Sequence, residues 1–350
     1  MVGLARDKIV LVKLLIRECL AGFRANLAKR VINVMKTLSI VIPVYYNEES
    51  LPFLFEALQK LEYNLLQKGI ALELIFVDDG SGDDSFVELL KIKRARPATK
   101  LVKLTRNFGN IRAEKTGYRY ITGDCFCALS ADLQDPPELI EEMINYWLKG
   151  EKFIICVREQ REDPPLTTFF ANLFYKLVRN FVIQDYPRGG FDLALMDKDM
   201  LPYMLASGKN INTALFAYSL GYDPVTISYK RQKRQYGKSR WTFAKKFNYF
   251  IDSILGFSVL PLHLISWVGI TLAIVSFFYG LYVIIDVLIR GIDVPGFASL
   301  FTLTAFLSGL TLTMLGIIGQ YIWRIFDEVN GAPESVVEIE LIDQSPPPAI

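Results

Sequence analysis

Between Thr37 and Arg158, short apolar runs alternate with segments whose apolar positions recur every three or four residues. The runs LSIVIPVY (38–45), LELIFVD (72–78), KLVKLT (100–105), CFCALSA (125–131) and KFIICVR (152–158) have strand length and little polar alternation. Helices are predicted between them, over about 50–67, 84–95, 110–121 and 137–149. Strands apolar throughout and separated by helices predict a mostly parallel sheet covered on both faces. Ligands bind such sheets beyond the carboxyl ends of the strands. Polar clusters stand at those ends: Asn47-Glu48-Glu49, Asp78-Asp79-Gly80-Ser81, Arg106-Asn107-Phe108-Gly109, and Ser130 to Asp135. Four clusters far apart in the chain are thus expected to meet at one edge.

The C-terminal third follows another pattern. Residues 259–289 carry one histidine and one acid, Asp286, and residues 296–323 carry no charge. Each run exceeds the roughly 20 residues that span a bilayer. The connector from Arg290 to Pro295 is too short for anything but a hairpin, so both flanks are expected on one side. Eight basic residues and no acid lie between Lys230 and Lys246, which by the positive-inside rule places the N-terminal domain and the tail in the cytoplasm. Phe243, Phe247, Phe250, Ile251 and Ile254 recur at helical spacing just before the first run, as in a helix lying in the membrane interface. Ile9, Val12, Ile16, Leu20 and Phe23 outline an amphipathic N-terminal helix; charges every few residues between Arg6 and Arg30 argue against a signal peptide. The expected organisation is an N-terminal helix (1–36), a catalytic domain (37–229), a basic interfacial segment (230–257), two spans (258–324; about 259–289 and 296–323) and a tail (325–350). In the tail, SVVEIELI (335–342) has the period of a strand. A lone strand is unstable, so it is expected to join a sheet, its own or a neighbouring subunit's; the second case implies a homo-oligomer.

Composition agrees with this segregation: 51% of the 350 residues are hydrophobic, 22% are charged, and mean hydropathy is +0.27. The net charge of +2 says nothing about partners, and nucleic acid is not expected among them. The four cysteines have no metal-type spacing, and Cys125 and Cys127 read as strand packing; a reducing compartment is expected. His263 is the only histidine, which excludes a Ser-His-Asp triad and a histidine-rich zinc site.

The stretches VIPVYYNEES, VDDGSGDDS, RNFGN and SADLQDPPE resemble, in order and spacing, the family 2 glycosyltransferases. The resemblance continues through ISYKRQKRQYGKSRWT to YIWRIFDEVNGAPESVV, covering about residues 38–331. It is greatest to the polyprenyl-phosphate branch, with its GtrB-like glucosyltransferases, ArnC-type enzymes and dolichol-phosphate mannose synthases. It implies an α/β GT-A type, Rossmann-like catalytic domain with a two-helix transmembrane hairpin and interfacial amphipathic helices.

Read alone, Glu48 and Asp79 suit either the base and ribose of a nucleotide or helix N-termini. The resemblance assigns them, with Pro43 and Tyr45, to the nucleotide pocket; Asn107 and Gly109 join them in the expected nucleotide-sugar site. Asp132 and Gln134 are alternate residues leaving a strand, positioned to face one magnesium or manganese ion, hard cations that take oxygen ligands. Asp135 is either a further ligand or a helix cap. Ser130 departs from the Asp-Ala-Asp of the dolichol-phosphate enzymes, leaving Asp132 as the one carboxylate expected on the metal. Arg231 and Arg234 match the family's Y-x-R-x-x-R-x-x-G-x-S run, and with Ser239, Arg158 and Arg161 they are the expected contacts of an acceptor phosphate. Asp132, Gln134, Arg231 and Arg234 form the expected catalytic set. Two further departures are Asp192, where the family more often has arginine, and Asn110, where lysine is common.

The reaction so implied is inverting transfer of a hexose, glucose first, from a UDP-sugar to undecaprenyl phosphate at the cytoplasmic face of the membrane. Two other readings remain open: another donor, such as GDP-mannose or an amino-arabinose nucleotide, or a membrane carrier with an inactive nucleotide-binding domain. Retention of Glu48, Asp79, Asp132 and Gln134 weighs against the carrier.

Overall fold

The computed structural model describes residues 35–159, 175–176, 178–180, 183–209, 211–231, 260–290 and 296–343. The N-terminal helix, the interfacial segment from 232 to 259, the hairpin turn, and Arg161, Arg234 and Ser239 lie outside these residues.

The five predicted strands form within a few residues of their expected places: β1 (Lys36–Val44), β2 (Ile70–Asp78), β3 (Lys100–Leu104), β4 (Cys125–Ala128) and β5 (Phe153–Arg158). So do the helices between them: α1 (Leu51–Gln67), α2 (Ser85–Ala95), α3 (Asn110–Tyr118) and α4 (Glu138–Trp147). Beyond them come β6 (Leu193–Asp197), α5 (Leu201–Ala206), α6 (Thr213–Ser219) and β7 (Val225–Tyr229). The chain continues with α7 (Leu260–Arg290), α8 (Phe297–Val329) and β8 (Val337–Leu341). Eight strands make one sheet in the order β7-β5-β6-β4-β1-β2-β3-β8. The pairs β4-β1, β1-β2, β2-β3 and β5-β7 are parallel, while β6 and β8 run antiparallel to their neighbours.

A hydrophobic core lies on each face. Leu38, Ile40, Ile42 and Val44 of β1 pack against α1, which buries Leu51, Leu54, Leu58, Leu61 and Leu65 in one stripe, and α4, which buries Ile140, Met143, Ile144 and Trp147. Each such side chain contributes about 2 kcal/mol of transfer free energy. The opposite face gathers Val41, Ile75, Val77 and Phe126 with Tyr118 of α3, Met204 of α5 and Leu215 of α6. There α3 lies so close to the sheet that a Cβ at Gly117 would stand 2.3 Å from Val41 Cγ1. A sheet buried on both faces explains why apolar residues dominate these strands on both faces.

The tail strand closes one edge. β8 pairs with β3 of the same chain, Leu341 opposite Leu101 and Glu340 opposite Val102, so it supplies no argument for a second subunit. Three buried groups fasten the tail. Lys115 Nζ, whose side chain is 2% exposed, donates to Ser207 O (2.6 Å) and Glu334 Oε1 (2.6 Å). Thr116 Oγ1 meets Ser335 Oγ at 2.6 Å, and Lys93 Nζ donates to the Asp343 carbonyl.

Helices α7 and α8, of 31 and 33 residues, are about 46 and 50 Å long at 1.5 Å per residue. Both are long and apolar enough to cross a membrane, and their apolar side chains face outward: Trp267, Phe277 and Leu288 are 69%, 68% and 80% exposed. The last turn of α8 touches the sheet domain, where Lys209 Nζ donates to Asp327 O at 2.9 Å.

Candidate active site

The four polar clusters meet at the carboxyl edge, held by one another's hydrogen bonds. Tyr46 N donates to Ser81 Oγ (3.1 Å) and Asn47 N to Ser85 Oγ (2.8 Å), tying the loop after β1 to the loop after β2. Asp79 then accepts the amides of Phe108 (2.7 Å) and Gly109 (2.9 Å) after β3. On the other side, Ser50 Oγ donates to Ala131 O (2.7 Å) after β4. A Cβ at Gly80, which has φ +67°, would stand 2.5 Å from the Arg106 backbone, so two loops touch through a residue that only glycine suits. Tyr46 (φ 56°) and Leu133 (φ 58°) are the non-glycine residues in the left-handed region among the described residues. Both lie on this edge, where backbone strain commonly marks function.

The expected nucleotide residues surround this junction. Pro43 lies on β1 opposite Val77, and Tyr45 packs its ring edge-on against Tyr46. Asn107 sits on the loop against Gly80, and Gly109 begins α3. Glu48 Oε2 accepts the amide of Asp84 at the start of α2 (2.9 Å), the helix-terminus role that an acid there also suits. Asp79 braces a loop in addition to any contact with ligand. Asp78, fully buried, has its carboxyl pKa raised, by burial first of all, against the opposing hydrogen bonds of Ser81.

Asp132 is 5% exposed, and its Oδ1 accepts the amide of Gln134 at 3.1 Å across the left-handed Leu133. The two residues therefore meet through a tight turn rather than through the alternation of an extended strand. Their side chains supply hard oxygen donors suited to a divalent cation, with one carboxylate between them. Among the described residues no group of three or more histidine, cysteine or acidic side chains could hold a metal. The donor set fits an ion whose other ligands come from a diphosphate and water.

Beside this turn stands a second charged cluster. Arg158, ending β5, forms an ion pair through Nε with Asp192, just before β6. Arg231, two residues beyond β7, has Nε 3.4 Å from Asp135 Oδ1, where that buried nitrogen makes no hydrogen bond. Tyr229 OH donates to Asp135 Oδ1 at 2.5 Å. Asp135 is thus no helix cap: α4 starts after Pro137 without a side-chain cap. Burial is the largest influence on the Asp135 carboxyl and raises its pKa, with Arg231 pulling the other way. Burial alone would lower the Arg158 pKa, but the hydrogen bond and charge of Asp192 more than offset it, and the net shift is upward. Arg158 and Arg231 lie at the ends of the paired strands β5 and β7, each beside an aspartate that the Tyr229 hydroxyl approaches. Asp192 and Tyr229 were not foreseen as site residues, although both stand inside motif stretches: Tyr229 opens the Y-x-R run, and Asp192 replaces the more familiar arginine.

A Rossmann-like sheet whose loops converge on such an edge, with an antiparallel strand inserted beside β4, is the GT-A class of fold. Residues 39–204 match the family model described as glycosyl transferase family 2. The chain is 34% identical to an uncharacterized glycosyltransferase of Synechocystis sp. over 85% of its length and 93% of the relative's. It is 30% identical to the SfII prophage-derived bactoprenol glucosyl transferase of Shigella flexneri, over 86% of this chain and 97% of that one. Among solved structures, the glucosyl-3-phosphoglycerate synthase of Mycobacterium tuberculosis with Mn2+, UDP and glucosyl-3-phosphoglycerate aligns with a TM-score of 0.42 and 14% identity, over 61% of this chain and 76% of that one. The chain belongs to glycosyltransferase family 2, and it is an enzyme of that type.

Proposed function

We propose that the protein transfers glucose from UDP-glucose to a polyprenyl phosphate, undecaprenyl phosphate in the first instance, with inversion at the anomeric carbon. The observation that carries this reading is the pairing of an Asp132–Gln134 turn with a half-buried two-arginine cluster on one sheet edge, in a chain that also presents two long, outward-facing apolar helices. Bactoprenol glucosyl transferases similar over most of the chain support the acceptor and the sugar.

The acceptor phosphate needs no base, since its second pKa lies near 6 and its oxygen is already largely anionic at neutral pH. A phosphate oxygen forms the new bond to the anomeric carbon as the bond to the nucleoside diphosphate breaks. What the protein must do is bring two anions together in line. Arg158 and Arg231, with Arg234, Arg161 and Ser239 as further contacts, would bind and orient the acceptor phosphate by charge-assisted hydrogen bonds. Pro43, Tyr45, Glu48, Asp79, Asn107 and Gly109 would hold the nucleotide. Asp132 and Gln134 would hold magnesium or manganese, which when bound offsets charge on the leaving diphosphate.

The apolar helices would anchor the enzyme beside its lipid substrate. β8 follows them yet pairs with β3, which supports a hairpin with both flanks on the catalytic side; the basic run before the first span supports the cytoplasm as that side. The test is transfer from radiolabelled UDP-glucose, UDP-galactose and GDP-mannose to undecaprenyl phosphate in detergent. Label in lipid from UDP-glucose is the expected result; label from GDP-mannose alone would assign another donor, and none from any donor would reject the acceptor.

A further inference from the structure

We propose that Tyr229 is a positioning residue for the acceptor arginines, an inference that rests on the role of Arg158 and Arg231 given above. Tyr229 ends β7 directly beside Arg158, its register partner at the end of β5. Its hydroxyl donates to Asp135 Oδ1 at 2.5 Å and lies 3.3 Å from Asp192 Oδ2. These are the same two oxygens that face the guanidiniums: Asp135 Oδ1 stands 3.4 Å from Arg231 Nε, and Asp192 Oδ2 takes the Nε–H of Arg158. One neutral donor thus touches both carboxylate oxygens that orient the two arginines.

The arrangement has a chemical purpose. Tyr229 and Asp135 are 5% and 4% exposed, so the Asp135 charge faces the more open Asp192 with little water on its own side. Two arginines balance two aspartates, and the tyrosine fixes where the negative charges sit without adding one. Arg158 is held through Nε, the nitrogen outside the terminal pair, and Arg231 turns its Nε to Asp135 Oδ1 at 3.4 Å in an ion pair without a hydrogen bond. The terminal nitrogens make the fork that grips a phosphate with two parallel hydrogen bonds. A carboxylate on the Nε side of each arginine leaves that fork to the incoming dianion. When the phosphate draws the arginines, Asp135 still has the Tyr229 hydroxyl as a donor and is not left buried without one.

The test is Tyr229→Phe in the full-length enzyme in detergent, with rates measured against polyprenyl phosphate and nucleotide-sugar separately. Loss of the hydroxyl is expected to raise the acceptor KM about tenfold while leaving the donor KM and UDP binding within about twofold. An unchanged acceptor KM overturns the inference. So does a parallel rise in both KM values with a lowered melting temperature, which is what a purely structural hydroxyl would give. Asp192→Asn supplies a second variant: it removes the charge that holds Arg158 and leaves the Tyr229–Asp135 hydrogen bond in place, and the same acceptor-only defect is expected. A normal acceptor KM in that variant counts equally against the inference. Arg158→Ala and Arg231→Ala, assayed alongside, separate this from the reading beneath it. If the arginine variants bind acceptor normally, the acceptor site lies elsewhere and both fall; if they are impaired while Tyr229→Phe and Asp192→Asn are not, only the positioning role falls.

Discussion

Replacing Asp132 by asparagine keeps its shape and its turn to Gln134 but removes the carboxylate charge. Transfer is expected to fall at least about a hundredfold, since charge stabilisation at such sites supplies several kcal/mol. Ser130→Ala should stay within about threefold, a neutral hydroxyl adding little beside a carboxylate on a hard cation. Titrating magnesium and manganese against transfer rate in both variants checks this; a severe Ser130→Ala defect with a mild Asp132→Asn one would put the ion on the wrong residue. Glu114 allows a test of a different kind. It accepts a hydrogen bond from Tyr118 OH in the core, and burial pushes its pKa from 4.5 to about 7, Tyr118 opposing. A carboxyl that keeps its proton longer when folded than when unfolded adds stability below the unfolded pKa, which is lost as pH rises through the folded one. The melting temperature is therefore expected to fall between about pH 4.5 and 7, and Glu114→Gln should flatten that fall. An unchanged profile would mean that Glu114 is ionised throughout. Residue type and motif position alone pointed to Asp132 and the arginines as site candidates. The sequence could not show that Leu133 turns left-handed or that Tyr229 folds over Asp135, because both depend on neighbours brought from other strands.

The five central strands were legible because burial on both faces leaves no polar alternation, so a continuous apolar run and a strand coincide. β6 and β7 were not. β7, at the sheet edge, exposes Thr226 and Ser228, and β6 runs antiparallel between β4 and β5 outside the alternation of strand and helix that marked the others. The tail strand β8 was legible from its alternating Val337, Ile339 and Leu341, but not its partner, since register with β3 is a matter of contact rather than period. Its attachment makes a quantitative prediction. Glu334→Ala leaves the Lys115 ammonium buried without its carboxylate, and breaking one side of such a pair costs about 3 kcal/mol. Denaturant unfolding of the purified protein measures the loss; a change below about 1 kcal/mol would mean that the Ser207 and Gly208 carbonyls already satisfy the lysine.

For the whole molecule, the two long apolar helices were the plainest feature of the sequence, one run carrying a single acid, Asp286, and the other no charge, and both are long and apolar enough to cross a membrane. A cysteine placed at Ile292 should react with a membrane-impermeant maleimide in intact cells, and one placed at Ser345 should not. The reverse labelling would invert the topology. The strand that closes the sheet carries a consequence for how the molecule is born. β3 leaves the ribosome early and waits with an unpaired edge, an invitation to aggregate, while more than half the chain is still being made. Its partner is the last element of regular structure to be synthesised among the described residues, after both apolar helices. A nascent chain thus cannot finish its catalytic sheet before the helices that follow it have emerged. A prematurely ended chain would betray itself by a bare strand and two buried lysines without their tail partners, which are features that cellular quality control can find.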